Sequence, residues 1–386
     1  MRQALQLAHQ ARLLCPPNPA VGCVLVNPQG ECIGQGHTQQ VGGPHAEVMA
    51  INAARSASHS TQGATAYVTL EPCSHVGRTG PCCNALVAAG VSQVLALAPD
   101  PNPLVSGQGL AKLQAAGVQA QLLDLSHEPF KTLHDEARAL NVGFFSRMER
   151  RTPWVRLKIA ASLDGQTALQ NGQSQWITSD AARADGHAWR ARACVVLTGM
   201  GTVLQDNPRL DVREVPTPRQ PHVVVVDSRL ELPLNAKLLD NLKSSGREVW
   251  VYHAVPHAIQ QAAPFAAKQA ALEALGVKLV HCPQANTSAA KVDLQAMLQD
   301  LARSEVNELH VEAGHKLNGS LVREQLVDEF LVYLAPKLLG QGQGMLQLGP
   351  LTELLQATNL EFTDVQRIGP DVRLMAKIVK IGGKAP

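Results

Sequence analysis

Gly42-Gly43-Pro44-His45-Ala46-Glu47 opens a predicted helix over residues 45–56, and Thr69-Leu70-Glu71-Pro72-Cys73 closes a predicted strand over 66–70. Cys82 follows Cys73 by nine positions and begins a second predicted helix, 81–90. One imidazole and two thiolates form a soft donor set suited to zinc, and three protein ligands leave the fourth tetrahedral position open. Water at such a position has its pKa lowered from about 15.7 towards 7. Glu47, two residues from His45, is placed to carry its proton to a leaving group. The alternative is a closed site with Cys83 or His75 as fourth ligand, which leaves Glu47 without a task. Glu71, at a strand end before proline, suits orienting the loop better than serving as the base. His37, His59 and His127 read as surface or core histidines, and Cys15, Cys23 and Cys32 as small buried fillers.

Around this motif, residues 21–26, 66–70, 93–98 and 118–123 read as strands, with helices over 45–56, 81–90 and 107–117. Short strands alternating with helices specify a layered α/β domain. The charged run Ser146-Arg147-Met148-Glu149-Arg150-Arg151-Thr152-Pro153 marks the boundary, giving domains 1–145 and 146–386. Six of the eight cysteines and seven of the fourteen histidines precede it, which puts soft-ligand chemistry in the first domain. The second repeats the class without repeating the sequence. Its strands are expected at 155–161, 194–198, 223–227, 248–252, 278–281, 308–312 and 330–334, with the clearest helix over 292–304.

Composition removes several function classes. Across 386 residues, 34 Lys+Arg face 32 Asp+Glu, so the electrostatic footprint of a nucleic-acid binder is missing. At 45% hydrophobic and 17% charged, the chain suits compact α/β packing rather than disorder. No apolar run reaches the roughly 18 residues of a membrane span. His9, Gln10 and Arg12 interrupt any signal core, whereas Leu5, Ala8 and Ala11 fit an amphipathic helix. Clustered Cys and His in a long chain indicate metal binding in a reducing compartment. The expectation is a cytoplasmic enzyme acting on a small molecule, without nucleic acid or membrane.

The second domain carries its own constellation. Trp154-Val155-Arg156-Leu157-Lys158-Ile159-Ala160 alternates so that Arg156 and Lys158 share one face of a strand. The strand over 194–198 runs into Gly199-Met200-Gly201-Thr202, and Glu312-Ala313-Gly314-His315-Lys316-Leu317-Asn318-Gly319-Ser320 again ends a strand and begins a helix. Such turns let backbone N–H groups approach a pyrophosphate, in the crevice where strand ends meet. Leu204 replaces the third glycine of the dinucleotide fingerprint, so a standard Rossmann domain is not supported. After the strand over 223–227, Ser228-Arg229 suits a 2′-phosphate and Asp227 a 2′-hydroxyl.

The H-x-E element with a later P-C is the arrangement of zinc nucleobase deaminases, except that C-x8-C stands in place of C-x-x-C. Pro17-Asn18-Pro19-Ala20-Val21-Gly22, the Gly42–47 stretch, and Tyr67 through His75 and Gly77-Arg78-Thr79 to Pro81-Cys82-Cys83 resemble the bifunctional riboflavin-biosynthesis deaminase/reductase family. That family's C-x8-C spacing accounts for the departure, while Gly80 stands where it has proline. Lys158 with Ser162-Leu163-Asp164-Gly165, Ser174-Gln175-Trp176-Ile177-Thr178, Thr202-Val203-Leu204 with Asp206 and Pro208, and Val311-Glu312-Ala313-Gly314 look like its reductase half.

The resemblance implies an N-terminal cytidine-deaminase-like three-layer domain and a C-terminal dihydrofolate-reductase-like domain. It implies zinc on His45, Cys73 and Cys82, with Glu47 moving protons, and a 2,5-diamino-6-(5-phosphoribosylamino)pyrimidin-4(3H)-one that loses its 2-amino group. NADPH then reduces the ribosyl chain to give 5-amino-6-(5-phosphoribitylamino)uracil. Implied cofactor contacts are Ala160, Trp176, Thr202, Asp206, Ser228 and Gly314 through His315, Lys316, Leu317, Asn318, Gly319 to Ser320. Implied substrate contacts are Ser174, Arg190, Leu210, Arg213 and Glu312. Opening the sugar and protonating the nascent amine need an acid, for which Lys158 is the first candidate and Asp206 the second; Lys158 serving only to bind phosphate or cofactor is the rival role. A homo-oligomer is expected. Two other readings are a free-base, nucleoside or tRNA deaminase with an inert second domain, and a zinc-stabilised nucleotide-binding protein without activity.

Overall fold

Short apolar strands alternating with helices build one mixed sheet in each of two units, Met1–Thr152 and Pro153–Pro386. The computed structural model describes every residue except 104, 286–289 and 380–386.

In the first unit, α1 (Arg2–Ala11) precedes β1 (Gly22–Val26), β2 (Cys32–His37), α2 (Ala46–Ser56), β3 (Thr65–Val68) and α3 (Cys82–Ala88). Then come β4 (Gln93–Ala96), α4 (Gln108–Ala115), β5 (Gln119–Leu122), α5 (Glu128–Leu140) and α6 (Val142–Arg150). The sheet runs β2-β1-β3-β4-β5. β1 is antiparallel to β2 and β3, and β3, β4 and β5 are parallel. Gly34 and Gly36 let α2 lie directly on β2: a Cβ at these positions would stand 2.2 Å from Ala50 O and 2.5 Å from Ala46 O. That close packing fixes the start of α2, where His45 and Glu47 sit.

The expected strands and helices of this unit are all present. The run 146–153, expected to begin the second domain, is instead the end of α6 and a short exit to Pro153. Phe144 and Phe145 are buried in the first unit's core, which holds the helix there. Cys15 and Cys23 are buried as expected, but Cys32 is exposed, because it opens the edge strand β2.

The second unit begins with β6 (Trp154–Ser162), β7 (Gln166–Leu169), α7 (Asp180–Arg192), β8 (Val195–Gly199), α8 (Met200–Asp206) and β9 (His222–Val226). It continues through α9 (Leu242–Ser245), β10 (Val249–His253), α10 (His257–Gln260), α11 (Ala263–Ala274), β11 (Val277–His281), α12 (Leu294–Arg303), β12 (Glu308–Val311) and α13 (His315–Arg323). It closes with β13 (Glu329–Ala335), β14 (Gly342–Gly344), β15 (Leu360–Ile368) and β16 (Asp371–Ile378). The nine-stranded sheet has the order β11-β10-β9-β8-β12-β6-β13-β16-β15. Strands from β11 to β13 are parallel; β16 and β15 form an antiparallel hairpin at the edge. Parallel strands buried on both faces need continuous apolar runs, as His222–Val226 and Val249–His253 provide. All seven expected strands are here.

One face of the central strands is polar. Arg156, with 1% of its surface exposed, donates to Glu308 at 2.8 Å and Glu329 at 2.7 Å, and Glu308 and His310 on β12 are followed by Glu312 just past its end. Paired on both sides, the guanidinium offsets its own desolvation. The ladder leads along β6 and β12 to the strand ends, where Lys158 and Glu312 meet.

Candidate active sites

In the first unit, His45 is the N-cap of α2, and Cys82 is the first residue of α3. Cys73 Sγ lies 3.7 Å and Cys82 Sγ 3.3 Å from His45 Nδ1, and the three donor atoms lie within 4.8 Å of one another. Thr79 Oγ1 is hydrogen-bonded to His45 Nε2 at 3.3 Å, which leaves Nδ1 facing the thiols. The Cys82 backbone N–H donates to Cys73 Sγ. Hydrogen bonds from Cys82 and the neighbouring His45 pull the Cys73 thiol down to about 4, close to the thiolate a metal requires. Two thiols and an imidazole converging on one point fit zinc.

Glu47 is buried beside them at 3% exposure. Burial, then the Cys73 charge, raises its carboxyl above the ordinary value. Cys83 turns its thiol away, to Pro72 O and Gly109 O, and neither Cys83 nor His75 joins the cluster. Glu71 is occupied: its carboxylate accepts backbone N–H groups of Gly107, Gly109, Leu110 and Asp100. It ties down the loop before α4. A Cβ at Gly80 would meet nothing, so the departure from proline leaves the ligand loop unobstructed. Sequence reasoning passed over Asp100, which burial pushes up to about 7 close to Cys73; its only signal was the run Pro99-Asp100-Pro101-Asn102-Pro103 after a strand.

The second unit opens a cavity of about 580 Å³ at the strand ends. Lys158, Ala160, Ser174, Trp176, Arg190 and Thr202 line it, together with Asp206, Leu210, Arg213, Glu312, Gly314, His315 and Asn318. A Cβ at Gly314 would meet only Thr202 Oγ1, at 3.8 Å, so a side chain there would fill space left for a ligand. That space, beside the start of α13, suits a dinucleotide's phosphates.

Glu312 is the electrostatic centre. Arg190 donates to it twice, at 2.6 and 2.9 Å, and Lys158 Nζ stands 3.9 Å away. Burial alone would raise this carboxyl; Arg190 and Lys158 outweigh it and hold it well below the carboxylate range. Burial draws Lys158 below its ordinary value, against the pull of Glu312. Arg190 Nη1 also donates to Asp211 O and approaches His187, so most of this guanidinium is engaged in bracing Glu312. Ser174 Oγ donates to Asp206 at 3.4 Å, joining an expected substrate contact to an expected cofactor contact; burial raises Asp206.

Five expected contacts do not line the cavity. Leu317 packs into the core, Gly319 admits the backbone of Gln347, and Ser320 bonds Lys316 O within the helix, while Lys316 is exposed. Ser228 lies past the end of β9. Asp227 is unavailable for a 2′-hydroxyl, since its carboxylate accepts Glu231 N and Leu232 N. His187 and Arg183 line the cavity unforeseen; the signal for His187 was its i,i+3 spacing from Arg190 on one helix face.

The family models for the cytidine and deoxycytidylate deaminase zinc-binding region and for the RibD C-terminal domain match residues 1–98 and 153–374. Riboflavin biosynthesis protein RibD of Escherichia coli is 41% identical over 379 residues, covering 97% of each chain, and that of Aquifex aeolicus is 35% identical. Among solved structures, Acinetobacter baumannii RibD has a TM-score of 0.83 at 36% identity, covering 98% of this chain and 97% of that one. A Thermotoga maritima diaminohydroxyphosphoribosylaminopyrimidine deaminase/5-amino-6-(5-phosphoribosylamino)uracil reductase has 0.80 at 28% identity, with the same coverage.

Proposed function

This chain belongs to the RibD family of riboflavin biosynthesis, a bifunctional deaminase and reductase using zinc and NADPH, and on that premise we propose how its residues divide the work. The substrate is the diaminopyrimidinone ribotide; the first unit removes its 2-amino group and the second reduces the ribosyl chain. The observation that carries this reading is the meeting of His45, Cys73 and Cys82 beside a buried Glu47.

His45, Cys73 and Cys82 would hold zinc, which when bound would lower the pKa of a water to near 7. Glu47 takes the proton of the water that adds to the ring carbon and returns protons to the departing ammonia. Burial raises its carboxyl above the ordinary value, which favours its taking up that proton.

In the second unit, NADPH held at the cavity by Thr202, Gly314 and His315 would supply the hydride that reduces C1′ of the opened sugar. Lys158 gives a proton as the ring opens, and its lowered pKa makes it a better acid near neutrality. Glu312, braced by Arg190, orients Lys158. With Arg190 engaged, the phosphate falls to Arg213, whose guanidinium lies at the cavity and is held by Asp211 at 2.8 Å. Ser174 and Asp206 sit where substrate and cofactor adjoin, with Asp206 the second candidate acid.

The chain acts in the cytoplasm as a homo-oligomer. None of the eight cysteines forms a disulfide among the described residues, and no described helix is long and apolar enough to cross a membrane. Edge strand β15 exposes Leu360, Phe362 and Val365, a surface suited to strand pairing between copies. The test of function is ammonia release from the ribotide by the zinc-loaded chain: release supports the reading, and none from zinc-bound protein overturns it.

A further inference from the structure

The segment 207–213, which carries Leu210 and Arg213, has no helix or strand to hold it, and two of its residues, Asn207 and Leu210, have positive φ. Buried side chains hold its backbone instead. Arg247 donates to Arg209 O and Leu210 O, as well as to Pro221 O. Arg190 donates to Asp211 O. Gln220 clasps Val212 from both sides, accepting its N–H at 2.7 Å and donating to its carbonyl at 2.8 Å. At Arg213 the strap is an imidazole: the backbone N–H donates to His187 Nδ1 at 3.3 Å, and Arg190 approaches the same nitrogen at 3.4 Å.

We infer that His187 is a positioning residue of the reductase half: as a neutral ring accepting at Nδ1, it sets the backbone of Arg213 and so the grip on the substrate's phosphate end. This rests on the reading of Arg213 as the phosphate contact. A protonated ring would have no acceptor to offer. Two arginines and three carboxylates face the ring. From α7 comes Arg190, from the segment Arg213 and Asp211, from just beyond it Glu214 (3.6 Å from Nε2), and from just past β12 Glu312. Burial together with the two arginines holds the imidazole down at about 4.

The test supplies the deaminated phosphoribosylaminouracil directly to the full zinc-loaded chain with NADPH. His187→Leu is expected to raise KM about tenfold with kcat within about twofold, the loss of one positioning hydrogen bond. His187→Gln, which keeps an acceptor, is expected to restore most of it. Arg213→Ala separates the two readings. If it leaves KM unchanged, the phosphate reading fails; if it raises KM while folded His187→Leu does not, the positioning inference fails. Nitrogen-15 NMR of the unmutated chain gives a readout independent of folding in a variant. His187 should stay neutral, protonated on Nε2, from pH 8 to pH 5; titration within that range, or a proton on Nδ1, would overturn the inference.

Discussion

The first unit concentrates its chemistry and the second distributes it. His45, Glu47, Cys73 and Cys82 come from two helix starts and one strand exit within 38 residues, and the chemistry of the donors defines the site without help from the rest of the sheet. Lys158, Arg190, Arg213 and Glu312 come from four places across 155 residues, and each is defined by what it pairs with. A soft-metal site is therefore written in residue identity, whereas a site built from opposed buried charges is written in topology. The two should fail differently.

The largest expected effect is at Glu47. Glu47→Gln should lower ammonia release by about a hundredfold to ten-thousandfold, with zinc content and reduction of the deaminated substrate unchanged. Loss of zinc in this variant would mean that Glu47 builds the site rather than working in it.

Next comes Glu312→Gln, which leaves Arg190 buried without its carboxylate. Breaking such a pair costs about 3–5 kcal/mol, so reduction and stability should fall together, unlike at Glu47. The four tryptophans all lie beyond residue 153, so tryptophan fluorescence in denaturant reports the second unit within the full chain.

Acid sharpens the contrast. Burial holds His187 and His253 at about 4 and His310 at about 3. Between those values and the ordinary 6.5, the unfolded chain binds protons that the folded unit does not, so stability rises with pH there and is lost as pH falls from 6.5 towards 4. Each ring contributes up to about 3 kcal/mol at the acid end. The tryptophan-reported midpoint should drop steeply over this window, and a flat profile would contradict the buried neutral rings. Glu312 acts further down: its depressed carboxyl contributes stability above the ordinary carboxyl range, lost as pH falls through and below it.

The smallest effect belongs to Cys83→Ser. Its thiol serves only Pro72 O and Gly109 O, which a hydroxyl can also reach, so zinc content and deamination should change less than about twofold. Loss of zinc would restore the closed site.

These contrasts follow what could be read from the residues. The apolar runs at 223–227 and 249–252 and the helix-opening His45 announced themselves through period and donor chemistry. β2, Cys32-Ile33-Gly34-Gln35-Gly36-His37, did not, because two of its residues are glycines chosen for contact with α2. In the C-terminal hairpin, β15 is exposed along most of its length and shows no burial alternation, whereas β16 alternates over Asp371-Val372-Arg373-Leu374. Arg190 lines the cavity as expected, while its partners arrive from residues 211 and 312, which only the sheet order brings together. His187 matters through a backbone N–H, a partner that leaves no trace in residue type.

The most direct test of one chain performing two consecutive steps is ammonia released against NADPH oxidised, in one vessel, from the diaminopyrimidinone ribotide. Equal amounts, with ammonia appearing first, are the predicted result. Ammonia without oxidation of NADPH, from protein whose second unit is folded by tryptophan fluorescence, would contradict it.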